Sequence, residues 1–209
     1  MTPAFLLCAG LALAASGQWR ALFNGRNLDG WESIGDGVWS VMRDGTLLGQ
    51  RKPEDVKNQA WLYTTGVFGE FDLELEYWIP LGGNSGVSLR DTSRARYSWG
   101  PAFDHNRTPS HIGYEIQLVN VPKTQYPSGS IYLIRAAKAG VQRDTDWNAL
   151  RIESRNDIIR VFLNSQLVAE HPGDPARSKT GPIGLQLHGH SGPAMFRNVR
   201  IREIEPPHL

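Results

Sequence analysis

Three short stretches set polar side chains at every second position. In residues 113–120 (GYEIQLVN), Glu115 and Gln117 alternate with Tyr114, Ile116 and Leu118. In residues 184–188, Gln186 and His188 alternate with Leu185 and Leu187, and in residues 86–90, Ser88 and Arg90 alternate with Val87 and Leu89. Side chains two apart on a strand share a face. Each stretch therefore offers a polar pair on one side and apolar residues for a core on the other. A merely solvated face would carry Lys, Glu and Thr; this set is Glu, Gln, Gln, His, Ser and Arg, bounded by Gly86, Gly113 and Gly184. Amides donate and accept, a guanidinium donates and a carboxylate accepts. The mixture suits a concave surface that hydrogen-bonds a polyhydroxylated ligand.

Other chemistry finds little support. Glu74 and Glu76 alternate regularly within FDLELEY (71–77), the pattern of a solvated strand face rather than a glycosidase pair. Neither GNSG (83–86) nor GHSG (189–192) completes a nucleophile elbow, and no helix follows either. His188 and His190 are two apart, but the second lies in a turn-like run, which disfavours a metal site. No phosphate loop or dinucleotide fingerprint is present, so no cofactor is expected, and nothing indicates a divalent cation. Asn106-Arg107-Thr108 matches the glycosylation sequon, a short pattern common by chance.

The elements that must position these residues are strands. Alternation of period two marks residues 38–42, 46–49, 60–64, 71–77, 86–90, 113–119, 130–135, 150–154, 158–163, 166–170, 183–188 and 194–204. Asp36-Gly37, Asp44-Gly45, Asn156-Asp157 and Asn164-Ser165 punctuate them as tight turns. About a dozen strands without crossover helices predict an all-β fold, a two-sheet antiparallel β-sandwich in one domain over residues 18–209. Two long loops interrupt the rhythm. Residues 91–110 hold Arg94, Arg96, Tyr97, Trp99, Phe103 and His105, and residues 120–129 hold Lys123 and Tyr126. Loops of this length are usually functional or disordered. The aromatics of the first suit a wall over a sugar ring as well as a loop packed on itself.

Residues 1–17 carry no acidic or basic side chain, and FLLCAGLALAA (5–15) is an apolar core followed by small residues. This is the pattern of a signal peptide, too short to span a bilayer in the mature protein, which predicts a secreted or periplasmic product without membrane insertion. Cys8, the single cysteine, lies inside it, so the mature chain would have neither disulfide nor thiol chemistry. With 22 Lys+Arg against 21 Asp+Glu and no basic run, no nucleic-acid partner is indicated.

The order of motifs resembles the 3-keto-disaccharide hydrolase family of the concanavalin A-like lectin/glucanase superfamily. LFNGRNLDGW (22–31) is similar to its opening, and FDLELEY (71–77), GNSGVSLR (83–90), GYEIQ (113–117), Trp147-Asn148, GPIGLQLHG (181–189) and FRNVRI (196–201) follow in family order. Asn120, Asn164-Ser165 and Ser130-Ile131-Tyr132 depart from the pattern. The resemblance implies a jelly-roll sandwich, usually exported from bacteria, that cleaves a glycoside already oxidised to a ketone at C3. A sugar 3-dehydrogenase would then be a pathway neighbour. The ketone acidifies the C2–H bond, and the enolate formed by proton removal expels the group at C1. That route needs a base near C2, donors near the C3 oxygen and a proton source at the leaving oxygen. Shared faces and this chemistry together make Glu115 or His188 the base, Arg90 the enolate stabiliser, and the other of the Glu/His pair, or Tyr132, the acid. Gln117, Gln186, Asn84, Tyr132 and Trp99 are expected to bind the carbohydrate substrate. Two alternatives remain open at this point: a conventional two-carboxylate glycosidase and a non-catalytic sugar-binding module on the same surface.

Overall fold

The structure, a computed structural model, describes residues 17–52, 57–189 and 192–204. Most of the expected signal peptide, with Cys8, and the His190-Ser191 pair lie outside the described residues. Thirteen strands are present among the described residues: β1 (Arg20–Ala21), β2 (Trp31–Ile34), β3 (Val38–Val41), β4 (Leu47–Gln50), β5 (Ala60–Thr64), β6 (Phe71–Trp78), β7 (Asn84–Leu89), β8 (Tyr114–Val119), β9 (Asn148–Arg155), β10 (Ile158–Leu163), β11 (Gln166–His171), β12 (Ile183–Leu187) and β13 (Ala194–Glu203). The only α-helix described, α1 (Pro109–Ile112), is a single turn.

The strands form two antiparallel sheets. One has eight strands in the order β11-β10-β9-β6-β13-β4-β3, with β1 beside β13; the other has the order β2-β5-β12-β7-β8. Alternation decides what each face buries. Leu73, Leu75 and Tyr77 of β6, Leu150 and Ile152 of β9, and Phe196 and Ile201 of β13 form a buried core with Leu62, Val87, Tyr114, Ile116, Leu118, Leu185 and Leu187 of the five-stranded sheet. Each such side chain contributes about 1.5–3 kcal/mol on leaving water. The odd-numbered partners on β8 and the even-numbered ones on β12 thereby turn outward, which is what places Glu115, Gln117 and Gln186 on one surface.

Two expectations need correction. Residues 130–135 are a turn, not a strand. Leu133 adopts φ 64, and the amides of Ile134 and Arg135 both close back on the Ile131 carbonyl. The segment still covers the β8 edge through Gln117 N to Ser130 O (2.9 Å), Gly129 N to Gln117 O (2.8 Å) and Tyr132 N to Glu115 O (2.8 Å), which accounts for its strand-like composition. Residues 91–110 are also more ordered than a bare loop. They contain a 3-10 turn (Gly100–Ala102) and lead into α1.

Glu74 and Glu76 lie on the outer face of the eight-stranded sheet, paired with Arg200 and Arg197. Asp72 beside them is fully covered, gripped by Arg155 and Arg202. These carboxylates belong to an ion-pair lattice.

Candidate functional site

Glu115 stands on the outer face of the five-stranded sheet, on its edge strand β8, which residues 129–132 cover. Register places Ser88 opposite Glu115 and Gly86 opposite Gln117 across β7 and β8. Between β12 and its neighbours, Gly184 faces both Ser88 and Tyr63, and Gln186 faces Trp61. The two glycines open holes in this layer of side chains. A Cβ on Gly86 would lie 2.8 Å from Glu115 Oε1, and one on Gly184 would lie 2.6 Å from the Tyr63 ring. Only hydrogen at these positions lets the carboxylate and the phenol lie down on the sheet.

Glu115 is 3% exposed and forms no ion pair among the described residues. Its one side-chain hydrogen bond comes from Gln186 Nε2, at 2.8 Å to Oε1. Burial disfavours the charged form, and the single amide donor only partly offsets that, so the carboxyl is pushed up to about 7. It is thus poised to exchange a proton near neutral pH. Tyr132, held beside the Glu115 backbone, is half-buried with its ring edge-on to Tyr126 (centroids 5.2 Å). Burial, then the nearby Glu115 carboxyl, raise its phenol and keep it protonated.

At the other end of the patch, His188 follows β12, and continuing the β12–β7 register sets it beside Asn84. Burial, with Arg51 second, holds His188 below its ordinary value, so it is a neutral imidazole at pH 7. Arg51 is itself buried, donating to the carbonyls of Asn58 (2.5 Å) and Leu187 (3.3 Å) and pairing with Asp36 (2.8 Å). It fixes the backbone that carries His188. Asn84 Oδ1 accepts from Gln117 Nε2 at 3.1 Å, and among the described residues its Nδ2 hydrogens have no partner. His188 and Glu115 are two strands and two register rows apart, roughly 16 Å between backbones at ordinary strand spacings. They flank the patch from opposite sides and do not form a contacting dyad.

Arg90 is not part of this surface. β7 ends at Leu89, and Arg90 takes φ 57, which turns its side chain toward the eight-stranded sheet. There it donates to Asp157 (2.8 Å) and Ser154 (2.9 Å). Its backbone is packed so closely that a Cβ on Gly113 or Gly181 would come within 2.7 Å or less of it. The expected pairing of Ser88 with Arg90 on one face fails because alternation stops one residue earlier. Trp99 packs over Gly35, where a Cβ would lie 3.2 Å from its ring, at the edge of the sheet away from β8.

Sequence reasoning missed Trp61, Tyr63 and Asp91. Trp61 and Tyr63 stack on the outer face of β5 (5.7 Å, 27°) and are fully covered, packing with Ala95 of the following loop. Tyr63 donates to Asp91 Oδ2 (2.8 Å), and the Ser88 hydroxyl lies 3.1 Å from the phenol oxygen. Asp91 also accepts from the Ser93 amide (2.9 Å), the Ser93 hydroxyl (2.6 Å) and the Ala95 amide (2.7 Å). This carboxylate pins the start of residues 91–112 onto the sheet. AWLYT shows no polar alternation before its last residue, so only the polar tips of Trp and Tyr signalled a working face. Among the described residues no three metal-ligating side chains gather.

The family model of the 3-keto-alpha-glucoside-1,2-lyase-like domain matches residues 18–202. The chain belongs to this family. A solved structure of a glycosyl hydrolase candidate from Parabacteroides distasonis is similar over 90% of this chain and 100% of its own, at 26% identity and TM-score 0.70. A second from the same organism matches over 90% and 94% at 22% identity and TM-score 0.66. The Bacillus licheniformis β-glucanase shares the fold, with 92% and 99% covered at 11% identity and TM-score 0.58. The fold of this member of the 3-keto-glucoside lyase-like family is therefore the concanavalin A-like jelly roll. A search of curated proteins returned no match.

Proposed function

We propose that this protein cleaves the glycosidic bond of 3-keto-glycosides, with Glu115 as the base that removes the C2 proton. The observation that carries this reading is Glu115 itself: a buried carboxyl held by an amide, without a cation, and pushed up to about 7. Such a group is a stronger base than an ordinary carboxylate, and a carbon acid activated by a neighbouring ketone is a substrate it can serve. The electron pair of the C2–H bond moves into the enolate and then expels the C1 oxygen, which takes a proton as it leaves. Water then adds across C1 and C2, its oxygen to C1 and its hydrogen to C2, giving two sugars from glycoside plus water.

Neutral donors serve the C3 oxygen in place of Arg90, with Asn84 Nδ2 the group whose hydrogens are free for it. Tyr132, protonated beside Glu115, supplies the proton to the leaving oxygen, and His188, neutral at the far side of the patch, serves the substrate as a hydrogen-bonding group. Gln117 and Gln186 position Asn84 and Glu115 through the bonds described. A conventional glycosidase would need a second carboxylate facing Glu115. The residue two along the strand is Gln117, and Asp91 is saturated by Tyr63, Ser93 and Ala95. We further infer export to the bacterial periplasm or beyond, from the signal-like residues 1–17.

The test is incubation of the chain from Gly17 onward with trehalose and with 3-keto-trehalose, following free glucose. Release from the ketone alone supports the proposal. Release from trehalose points to ordinary glycosidase chemistry, and release from neither that pair nor other 3-keto glycosides points to a binding module.

A further inference from the structure

The register of the five-stranded sheet sets Tyr63 of β5, Gly184 of β12, Ser88 of β7 and Glu115 of β8 in one row across four strands. Gly184 has no side chain to stand in the way, so the Tyr63 phenol lies across β12. Its oxygen is 3.1 Å from Ser88 Oγ and 2.8 Å from Asp91 Oδ2. Tyr63, Ser88 and Asp91 are fully buried, and Asp91 forms no ion pair among the described residues. The reaction proposed above uses none of the three.

Counting hydrogens gives the row a direction. Asp91 accepts four hydrogen bonds, from Tyr63, the Ser93 amide and hydroxyl, and the Ala95 amide. It gives none, which is how an ionised carboxylate bonds. Burial, then Asp91, hold the Tyr63 phenol well above its ordinary value, so it keeps its one hydrogen. That hydrogen goes to Asp91. The contact with Ser88 is then made by the Ser88 hydrogen, which leaves only lone pairs on Ser88 Oγ. Glu115 is the cross-strand partner of Ser88 on the same face, where paired Cβ atoms lie about 4.5–5.5 Å apart. A neighbour that can only accept favours a carboxyl carrying its proton. An unpaired negative charge in the same buried layer acts in the same sense.

We infer that Asp91 is a positioning residue for the proposed base: through Tyr63 it holds Ser88 as an acceptor toward Glu115, and so makes Glu115 a stronger base. Gln186 pulls the other way, donating to Glu115 Oε1 at 2.8 Å. No other neighbour brings a compensating charge. Tyr132, from the covering segment, is a phenol that burial and then Glu115 keep protonated. β7 brings Ser88 and Gly86, β12 brings Gln186, and Arg90 is turned to the other sheet. His188, two rows away, is neutral. This inference rests on Glu115 being the base of the proposed cleavage and adds what sets its strength.

The test is a ¹³C NMR titration of the glutamate carboxyl carbons in the free protein, with the Glu115 signal identified as the one missing from Glu115→Gln. Ser88→Ala removes the acceptor with little change in volume. Tyr63→Phe breaks the line and frees the Ser88 hydrogen to turn to Glu115, and Asp91→Asn removes the charge. Each should lower the Glu115 midpoint by about half a unit to one unit, a roughly three- to tenfold weaker hold on the proton, with Tyr63→Phe lowest. Ser93→Ala removes a bond to the far oxygen of the same carboxylate and should leave the midpoint unchanged. In active enzyme the rising limb of kcat/KM should move with the midpoint. A midpoint that stays or rises in folded Ser88→Ala and Tyr63→Phe, or that falls equally in Ser93→Ala, overturns the inference. If Asp91→Asn does not fold, the other variants decide. Midpoints that move as expected in a protein that cleaves no 3-keto glycoside keep the line and discard the reaction. Cleavage with an unmoved midpoint does the reverse.

Discussion

Glu115 sits 3% exposed with one amide for company, and its proton affinity follows from that environment. As a base it works only when ionised, so kcat/KM for a 3-keto-glucoside should rise with pH through about 7 and level off above. Glu115→Gln should lower kcat by 10²–10⁴-fold, the usual worth of a positioned base, and abolish that rising limb. The same raised value has a consequence for stability. The folded state holds the Glu115 proton more tightly than the unfolded chain, so the stabilisation is complete below the ordinary glutamate value of 4.5 and is lost as pH rises through about 7. Urea unfolding should therefore find Glu115→Gln more stable than wild type at pH 8, by on the order of 3 kcal/mol, and nearly equal to it at pH 4.5. An unchanged difference across that range would mean the carboxyl is not buried as described. The shared face of Glu115, Gln117 and Gln186 was legible in the sequence because alternation on strands is a local rule, whereas Asn84, read from the glycine-rich GNSG motif, proves to be the first residue of β7. Arg90 was not, since one residue with φ 57 reverses the side a side chain takes and leaves no mark on composition.

At the scale of elements, the site depends on glycines and on clamps between strands. Gly86→Ala would drive a methyl to 2.8 Å from the Glu115 carboxylate oxygen, a flexible tip that can shift. Activity should therefore fall at least tenfold in kcat, with a smaller loss of stability than a collision with backbone would cause; a fully active Gly86→Ala enzyme would refute the assigned bed for Glu115. Arg90→Ala acts in the opposite sense. Removing a buried guanidinium that ties the end of β7 to Asp157 and Ser154 should cost about 2–4 kcal/mol in a denaturant melt. At a temperature where the variant stays folded, its kcat should remain within several-fold of wild type. A loss of 10²-fold or more in folded protein would return Arg90 to the chemistry. Strand β10 began and ended where turn residues placed it, because Asn156-Asp157 before it and Asn164-Ser165 after it adopt the positive φ that such turns need. β1 and β2 escaped notice: two residues of one and WESI of the other are too short to show a period. Residues 130–135 had strand composition but serve as an edge cover, a role fixed by tertiary bonds to β8.

For the molecule as a whole, the two sheets divide the work. The outer face of the eight-stranded sheet is an ion-pair lattice, and the outer face of the five-stranded sheet is the candidate site. Asp72 marks the first. Burial alone would raise its carboxyl, but hydrogen bonds from Arg155 and Arg202 outweigh burial and lower it. That stabilisation is present above the ordinary carboxylate value and is lost as pH falls through the lowered one. Asp72→Asn should therefore cost about 2–3 kcal/mol at pH 7, less in acid, and leave kcat unchanged, as paired urea melts and assays would show. The two-sheet antiparallel sandwich was legible from strand count, turn residues and the absence of helical periods, and its jelly-roll type from the resemblance to the family. What lay beyond it was the covering of the site by residues 91–112, since Asp91 recruits Tyr63 across 28 positions of sequence. The reaction itself is tested most directly by incubating wild type and Glu115→Gln with a 3-keto-glucoside in D2O and following the C2 position by NMR. The account predicts that the C2 hydrogen is lost and deuterium appears there in the product, with neither exchange nor cleavage above background in Glu115→Gln. Cleavage that retains the original C2 hydrogen would contradict it.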